Sequence, residues 1–177
     1  MECLKNWILA EIYVQSFEEI GTFHEELDGF LLKHQEALIL MRPEAPALFQ
    51  TFRAMLQLHI EHEDNILLPL FERDQEAQRW PTMLYFKEHR KLEDFLQRIE
   101  TAQFKLGIPC PSKVRAVIEL IDLEGGLKRL LEHHDIRERK DFFPLLDKVT
   151  QSQERIDVLT RLNQEWNALK VAQGLTV

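Results

Sequence analysis

One pattern occurs twice in this sequence. The stretch HIEHEDNILLPLF, residues 59–71, returns in altered form as HHDIRERKDFFPLL, residues 133–146. In both copies a His is followed four residues later by a Glu, and six residues after that by a Pro. On a helix a four-residue step turns only about 40° around the axis, so imidazole and carboxylate project side by side from one face. Two such helices facing each other would form a metal site.

The repetition extends upstream of both copies. His24 begins the segment HEELDGFL and His89 begins HRKLEDFL, with matching apolar residues at the same offsets. Each half of the chain therefore supplies the same set of side chains, first a lone His and then a His with a Glu four residues later. In chain order the set is His24, His59, Glu63, His89, His134 and Glu138.

Apolar residues at helical spacing predict two long helices in the first half. Ser16 and Glu19 form a capping-box pattern, and the first helix then runs to Met41 before the RPEAP segment. The second runs from Pro46 to about Arg73, with a tolerable kink at Pro69 near its end.

The second half predicts two more long helices and a final one. Pro81 opens the third, which Gly107 and Pro109 close; Pro111 and Ser112 open the fourth, and the adjacent Gly125 and Gly126 predict a kink inside it. A last amphipathic segment spans about residues 153–169. We therefore expect an all-α fold, an up-down-up-down four-helix bundle with a pseudo-twofold internal repeat and an additional C-terminal helix.

Length and composition limit the remaining choices. A chain of 177 residues predicts a single domain over 1–177, with a core at about 16–147 and additions at 1–15 and 153–169. The net charge of −8 disfavours nucleic acid and anionic lipid as partners. Cys3 and Cys110 form neither a CxxC pair nor a disulfide framework, and no segment has the roughly 20 apolar residues of a membrane helix. A cytoplasmic protein is the expectation.

The two His-x-x-x-Glu segments ending in an apolar-Pro step, with HEELDGFL and HRKLEDFL before them, resemble the hemerythrin-like, HHE cation-binding family over about residues 16–147. The resemblance implies two iron ions inside a four-helix bundle. The four matched histidines would be terminal ligands, and Glu63 and Glu138 would bridge the irons together with a solvent oxygen. A set of four imidazoles and two carboxylates also favours a binuclear iron site with nitrogen and oxygen ligands over a thiolate-type zinc site.

In that arrangement one coordination position stays open on each iron, which suits O2, NO or peroxide. The sequence departs from the oxygen carriers of the family, which have a fifth His on the third helix. Here Glu93 stands four residues after His89, and Asp28 stands four after His24. These carboxylates are either additional ligands or solvated groups, and oxygen transport is not assumed. The symmetric set looks more like members linked to nitrosative stress and iron-sulfur repair, although this chain lacks the cysteine-rich domain that some of those carry.

Three further histidines compete with the chosen set. His133 lies next to His134, but the shared His-to-Pro spacing favours His134. His62 points about 60° away from the ligand face of its helix, so a side chain that is partly exposed or that supports a ligand is favoured. His34 lies well off the face of His24, so a surface position or core packing is favoured. Helical spacing also predicts a dry pocket around the metals, lined by Leu31, Leu56, Ile66, Leu96 and Leu131.

Three functional hypotheses follow. The first is a di-iron protein that binds a small ligand such as O2 or NO for sensing, scavenging or storage. The second is an enzyme or iron donor in oxidative or nitrosative stress, with turnover of peroxide or NO, or iron-sulfur repair. The third is a metal-stabilised helical interaction module. The sequence does not decide between enzyme and binding protein, nor whether the last helix covers the bundle end or mediates a dimer.

Overall fold

The computed structural model describes residues 15–106 and 112–175, and within them every regular element is helical. The α-helices are α1 (Gly21–Ile39), α2 (Ala45–His62), α3 (Leu68–Phe71), α4 (Thr82–Leu106), α5 (Lys113–Arg137), α6 (Phe143–Val149) and α7 (Ser152–Ala172). Short 3-10 turns span Phe17–Ile20 and Glu72–Ala77, and π-helical turns span Glu63–Leu67 and Glu138–Phe142. The all-α prediction is confirmed.

The four longest of the first five helices pack around a common core. α1 packs along α2 and α4 along α5, while α1 also contacts α5 and α2 contacts α4. Each helix turns an apolar stripe inward, as the 3.6-residue period predicts. The stripes supply the fully buried leucines and phenylalanines between the helices, among them Leu27, Leu31, Phe52, Leu56, Leu92, Leu96 and Leu127.

The first helix starts differently from the predicted capping box. The Ser16 hydroxyl accepts a hydrogen bond from the Glu18 N–H at 3.2 Å, rather than from the Glu19 N–H. It also donates to Asp147 of α6 at 2.6 Å. Ser16 is thus hydrogen-bonded both to its own turn and to α6. A 3-10 turn follows it, and α1 begins at Gly21.

Both prolines of the repeated pattern follow a π-helical turn. The Leu68 N–H bonds to the Glu63 carbonyl, and the Phe143 N–H bonds to the Glu138 carbonyl, each five residues back. This widened turn places Pro69 and Pro144 in the first turn of α3 and α6. A proline has no N–H to continue the helical hydrogen bonds, and the π turn before it accommodates this irregularity. The irregularity predicted at Pro69 is therefore a π turn that spans Glu63–Leu67, directly before α3.

The interruption predicted at the glycine pair is wrong. α5 continues through Gly125 and Gly126 as one α-helix from Lys113 to Arg137. A Cβ on Gly126 would lie 2.9 Å from the ring of Phe95 on α4, closer than real side chains approach. Gly126 thus allows α4 and α5 to pack closely, because it has no side chain at the point of contact.

The predicted last helix is present as α7, and it packs against α2. Trp166 stacks on Phe23 of α1 with ring centroids 4.3 Å apart, and its indole N–H donates to Glu26 at 2.9 Å. Gly107, Pro109, Pro111 and both cysteines lie outside the described residues. Among the helices that are described, none combines the length and apolar character needed to cross a membrane.

Candidate metal centre

The six residues of the repeated pattern meet between α1, α2, α4 and α5. Five are almost fully buried, and His24 is 12% exposed at its side chain. Their potential ligand atoms form two overlapping groups that could hold a metal ion. One group contains His24, His59, Glu63 and Glu138, and the other contains Glu63, His89 and His134.

In the first group two histidines face each other through their Nε2 atoms. The Nε2 atoms of His24 and His59 are 3.0 Å apart. Glu63 places its Oε1 2.8 Å from the His59 nitrogen, and Glu138 places its Oε2 3.1 Å from the His24 nitrogen. Two nitrogen lone pairs and two carboxylate oxygens thus converge on one point.

The second group repeats this arrangement with the other histidine pair. The Nε2 atoms of His89 and His134 are 3.3 Å apart. The Oε2 atom of Glu63 lies 3.0 Å from the His89 nitrogen, and the Oε1 atom of Glu138 lies 2.7 Å from the His134 nitrogen. Each carboxylate therefore directs one oxygen to each histidine pair.

Three of these four carboxylate oxygens lack a conventional partner. Oε1 of Glu63 and both oxygens of Glu138 are buried and accept no hydrogen bond of good geometry from the described residues. A buried carboxylate without compensation is costly, so positive charge is needed at this position, either as protons on the histidines or as metal ions. The donor set of imidazoles and carboxylates fits metal ions.

Three further carboxylates hold the histidines from behind. The Nδ1 atom of His24 is hydrogen-bonded to Asp135. The Nδ1 atom of His89 is hydrogen-bonded to Asp64 at 2.6 Å, and the Nδ1 atom of His134 to Glu88 at 3.0 Å. Because a carboxylate accepts, the Nδ1 atoms carry the hydrogen and the Nε2 atoms are left to face the centre. Such outer partners fix ring orientation and raise the basicity of metal-binding imidazoles.

These outer carboxylates were not identified from the sequence. Asp135 follows His134 but serves His24, and Asp64 follows Glu63 but serves His89. Each acts on a helix distant in the chain, so spacing along one helix carries no signal for it. A residue directly after a ligand is the one weak indication available.

The charges of the cluster shift the pKa of several members. Burial lowers the pKa of His24, but the Glu138 and Asp135 carboxylates outweigh it and raise the pKa to about 9. Burial likewise opposes protonation of His89, and Asp64 with Glu63 raises its pKa to about 9. Burial would raise the pKa of Glu63, but His59 and His134 hold it well below its ordinary value. The cluster therefore favours an ionised Glu63 carboxylate beside its histidines.

The competing histidines lie elsewhere. His133 is exposed, and His62 is buried with its Nε2 2.8 Å from Glu165 of α7. His34 is fully buried, with Nδ1 2.8 Å from the Ala45 carbonyl oxygen and Nε2 2.9 Å from Glu124. His62 and His34 thus hold helices together, with no part in the six-residue cluster; for His62 the predicted partial exposure is wrong, because α7 covers it.

The two additional carboxylates considered as ligands stay outside both groups. Glu93 is exposed on α4. Asp28 is exposed on α1, one turn beyond His24, where burial and the nearby carboxylates Glu132 and Asp135 raise its pKa against the opposing effect of Lys128. The structure brings neither of them to the histidine pairs.

A cavity of about 70 Å³ adjoins the cluster. Its lining includes three of the histidines, His24, His59 and His134, together with Leu27 and Leu131. Of the five residues predicted from periodicity to line a dry pocket, Leu131 borders this cavity. Leu31, Leu56 and Leu96 are buried core residues, and Ile66 is partly buried.

An aromatic wall closes another side of the cluster. The Tyr85 ring lies 6.1 Å from the His134 ring, centroid to centroid, and 5.1 Å from Phe142. Phe71 packs against the rings of both Tyr85 and Phe142. Burial, with added repulsion from Asp141 and the cluster carboxylates, raises the pKa of Tyr85, so its hydroxyl stays neutral.

The fold and the site together define an all-helical protein with a buried His/Glu cluster that could hold metal ions. Comparison with protein-family models, with curated proteins and with solved structures finds no match.

Proposed function

We propose that this protein is a non-haem di-iron protein, of hemerythrin-like architecture, that binds a small ligand such as O2 or NO. The observation that carries the proposal is the shared geometry of Glu63 and Glu138, each of which directs one oxygen to each histidine pair. A single metal ion would need only one such group. Two groups joined by two carboxylates are the requirement of a binuclear centre.

The helix connections support the bundle part of the proposal. α1 ends at Ile39 and α2 begins at Ala45, so these neighbours run antiparallel, as short helix connections require. The contacts among α1, α2, α4 and α5 support an up-down-up-down four-helix bundle, with α7 as a fifth helix. Metal sites in such bundles are formed by side chains that project inward from facing helices.

The donor atoms favour iron among the metals. Imidazole with carboxylate is a borderline-hard set, while the thiolates that mark structural zinc and iron-sulfur sites do not occur among the described residues of the cluster. Two iron ions held here, with a bridging solvent oxygen, would supply one open coordination position each for a diatomic ligand. Asp64, Glu88 and Asp135 orient the rings, and the wall of Tyr85 and Phe142 excludes water.

The test is to purify the protein from iron-supplemented cultures and measure metals by mass spectrometry. We expect about two irons per chain in the wild type, and clear loss in Glu63→Ala and Glu138→Ala. The matched control is Glu93→Ala, which removes an exposed carboxylate of α4 and should retain both irons.

The ligand is tested on the anaerobic ferrous protein. Exposure to NO or O2 should produce ligand-to-metal charge-transfer bands in the visible spectrum. A protein that holds two irons but shows unchanged spectra with both gases would refute ligand binding, and a protein that takes up no iron would refute the centre itself.

A further inference from the structure

The cavity beside the cluster leads from the histidines toward exposed acidic side chains. Besides the three histidines and two leucines, its lining consists of the carboxylates Asp28, Glu132 and Asp135. Asp28 and Glu132 are exposed, whereas the histidines are mostly buried. The cavity therefore has an inner end at the candidate metal ligands and an acidic outer end, which we call the mouth.

The cavity has the size of a small ligand. Its volume of about 70 Å³ is several times the ~10–15 Å³ that a cavity needs to hold one water molecule. Diatomic molecules, azide and a metal ion that has lost most of its water fit this space. The volume of the cavity thus suits small ligands, and the side chains of the mouth determine the charge that a ligand meets first.

In the other half of the repeat, two of the positions that match the cavity lining are buried. The positions that match Leu131 and Asp135 are Leu56 and Ile60, which are 0% and 4% exposed. α7 packs against α2, where His62 is hydrogen-bonded to Glu165, and against α1, where Trp166 stacks on Phe23. The fifth helix thus covers the face formed by α1 and α2, whereas the cavity borders the face formed by α1 and α5.

The charges at the mouth are mainly negative. Asp135 is paired with His24 and with Arg139, the latter at 2.8 Å, so part of its charge is compensated. Lys128 acts on Asp28 from α5, while Glu132 and Asp135 act on it with the opposite sign. Neither Asp28 nor Glu132 forms an ion pair or hydrogen bond with the described residues, so both leave their charge directed to solvent.

We propose that this cavity is the entry to the metal centre and that Asp28 and Glu132 make it selective by charge. It admits divalent cations for loading and neutral ligands such as NO, O2 or hydrogen peroxide, and it disfavours anions such as azide or nitrite. The proposal rests on the proposed di-iron function. Like charges near the path oppose an anion and opposite charges favour a cation, by an amount that falls with salt.

The test uses the double variant Asp28→Asn with Glu132→Gln, which keeps both side-chain shapes. Azide is titrated into the oxidised, iron-loaded protein and followed by its charge-transfer band. We expect azide to bind about 3- to 10-fold more tightly than in the wild type, the size expected for two exposed charges near a binding position. The difference should shrink at high salt.

Two further measurements use ligands of other charge. Uptake of Co²⁺ by the metal-free double variant, followed by stopped-flow absorbance, should be about 3- to 10-fold slower, because the attraction is removed. The affinity of the ferrous protein for NO should change by less than about two-fold, because a neutral molecule has no net Coulomb interaction with the mouth.

The matched control is Asp94→Asn with Glu119→Gln, which removes the same charge from side chains that are 61% and 71% exposed and lie outside the cavity lining. It should bind azide and take up Co²⁺ as the wild type does. Unchanged azide affinity and Co²⁺ uptake in the mouth variant, or equal changes in mouth variant and control, would overturn the proposal.

The two proposals fail in different ways. A wild-type protein that takes up no metal contradicts the di-iron function. A protein that holds two irons but treats azide and Co²⁺ alike in wild type and mouth variant contradicts only charge selection. If wild-type protein shows no azide band, the Co²⁺ rates decide between support and refutation.

Discussion

His134 is held from two sides. Its Nε2 atom lies 2.7 Å from Glu138 and its Nδ1 atom 3.0 Å from Glu88, while the neighbouring His133 is exposed. Replacement of His134 by Ala removes one donor from a buried carboxylate pair, so we expect iron content to fall from two to one or fewer per chain. His133→Ala should retain two irons, as measured by metal analysis of both variants. Loss of iron in His133→Ala alone would show that the neighbouring residue is the ligand.

The sequence predicts the six residues that face the centre of the site, but it does not predict the carboxylates that hold the histidines from behind. His59 with Glu63 was predictable, because a four-residue step on one helix brings two side chains together whatever the rest of the fold does. The pairing of His89 with Asp64 was not predictable, because it depends on the rotation of α4 relative to α2. The cavity likewise depends on how α1 packs against α5.

At the scale of the helix, the two adjacent glycines of α5 have different surroundings. A Cβ on Gly126 would meet the Phe95 ring at 2.9 Å, whereas a Cβ on Gly125 would meet only Arg129 at 3.6 Å. Gly125→Ala should therefore raise the free energy of unfolding by roughly 0.5–1 kcal/mol through helix propensity. Gly126→Ala should lower it by about 1–2 kcal/mol through overpacking, measured by urea denaturation of both variants. Equal stabilisation by both changes would show that Phe95 moves aside easily.

The π-helical turns illustrate why helix boundaries were easier to predict than helix geometry. The sequence placed the starts of α2 and α5 within about two residues of Ala45 and Lys113, and Pro69 indicated an irregularity. The register change begins at Glu63 and Glu138, the two bridging candidates. A sequence pattern does not distinguish a kink from an added residue in the turn, because either one accommodates a proline.

For the whole molecule, metal removal should reduce stability. The carboxylates of Glu63 and Glu138 are 0% exposed, and metal ions held at the proposed centre would compensate their charge in the folded state only. At a free metal concentration 100 times the dissociation constant, binding contributes about 2.7 kcal/mol. A chelator should therefore lower the melting temperature by roughly 5–10 °C for a chain of this size, measured by circular dichroism. The shift should be smaller in His134→Ala, and a wild-type melting temperature insensitive to the chelator would contradict a metal that is part of the fold.

Two of the outer carboxylates, Asp64 and Asp135, connect the two halves of the repeat. His24 relies on Asp135 and His89 relies on Asp64, so each half orients a histidine of the other. By the register of the repeat, the positions matching Asp135 and Asp64 are Ile60 and Arg139. A symmetric pair of first halves, or of second halves, would thus lack the carboxylate that its lone His needs. Each half of the chain therefore depends on the other half for the carboxylate that orients its lone His.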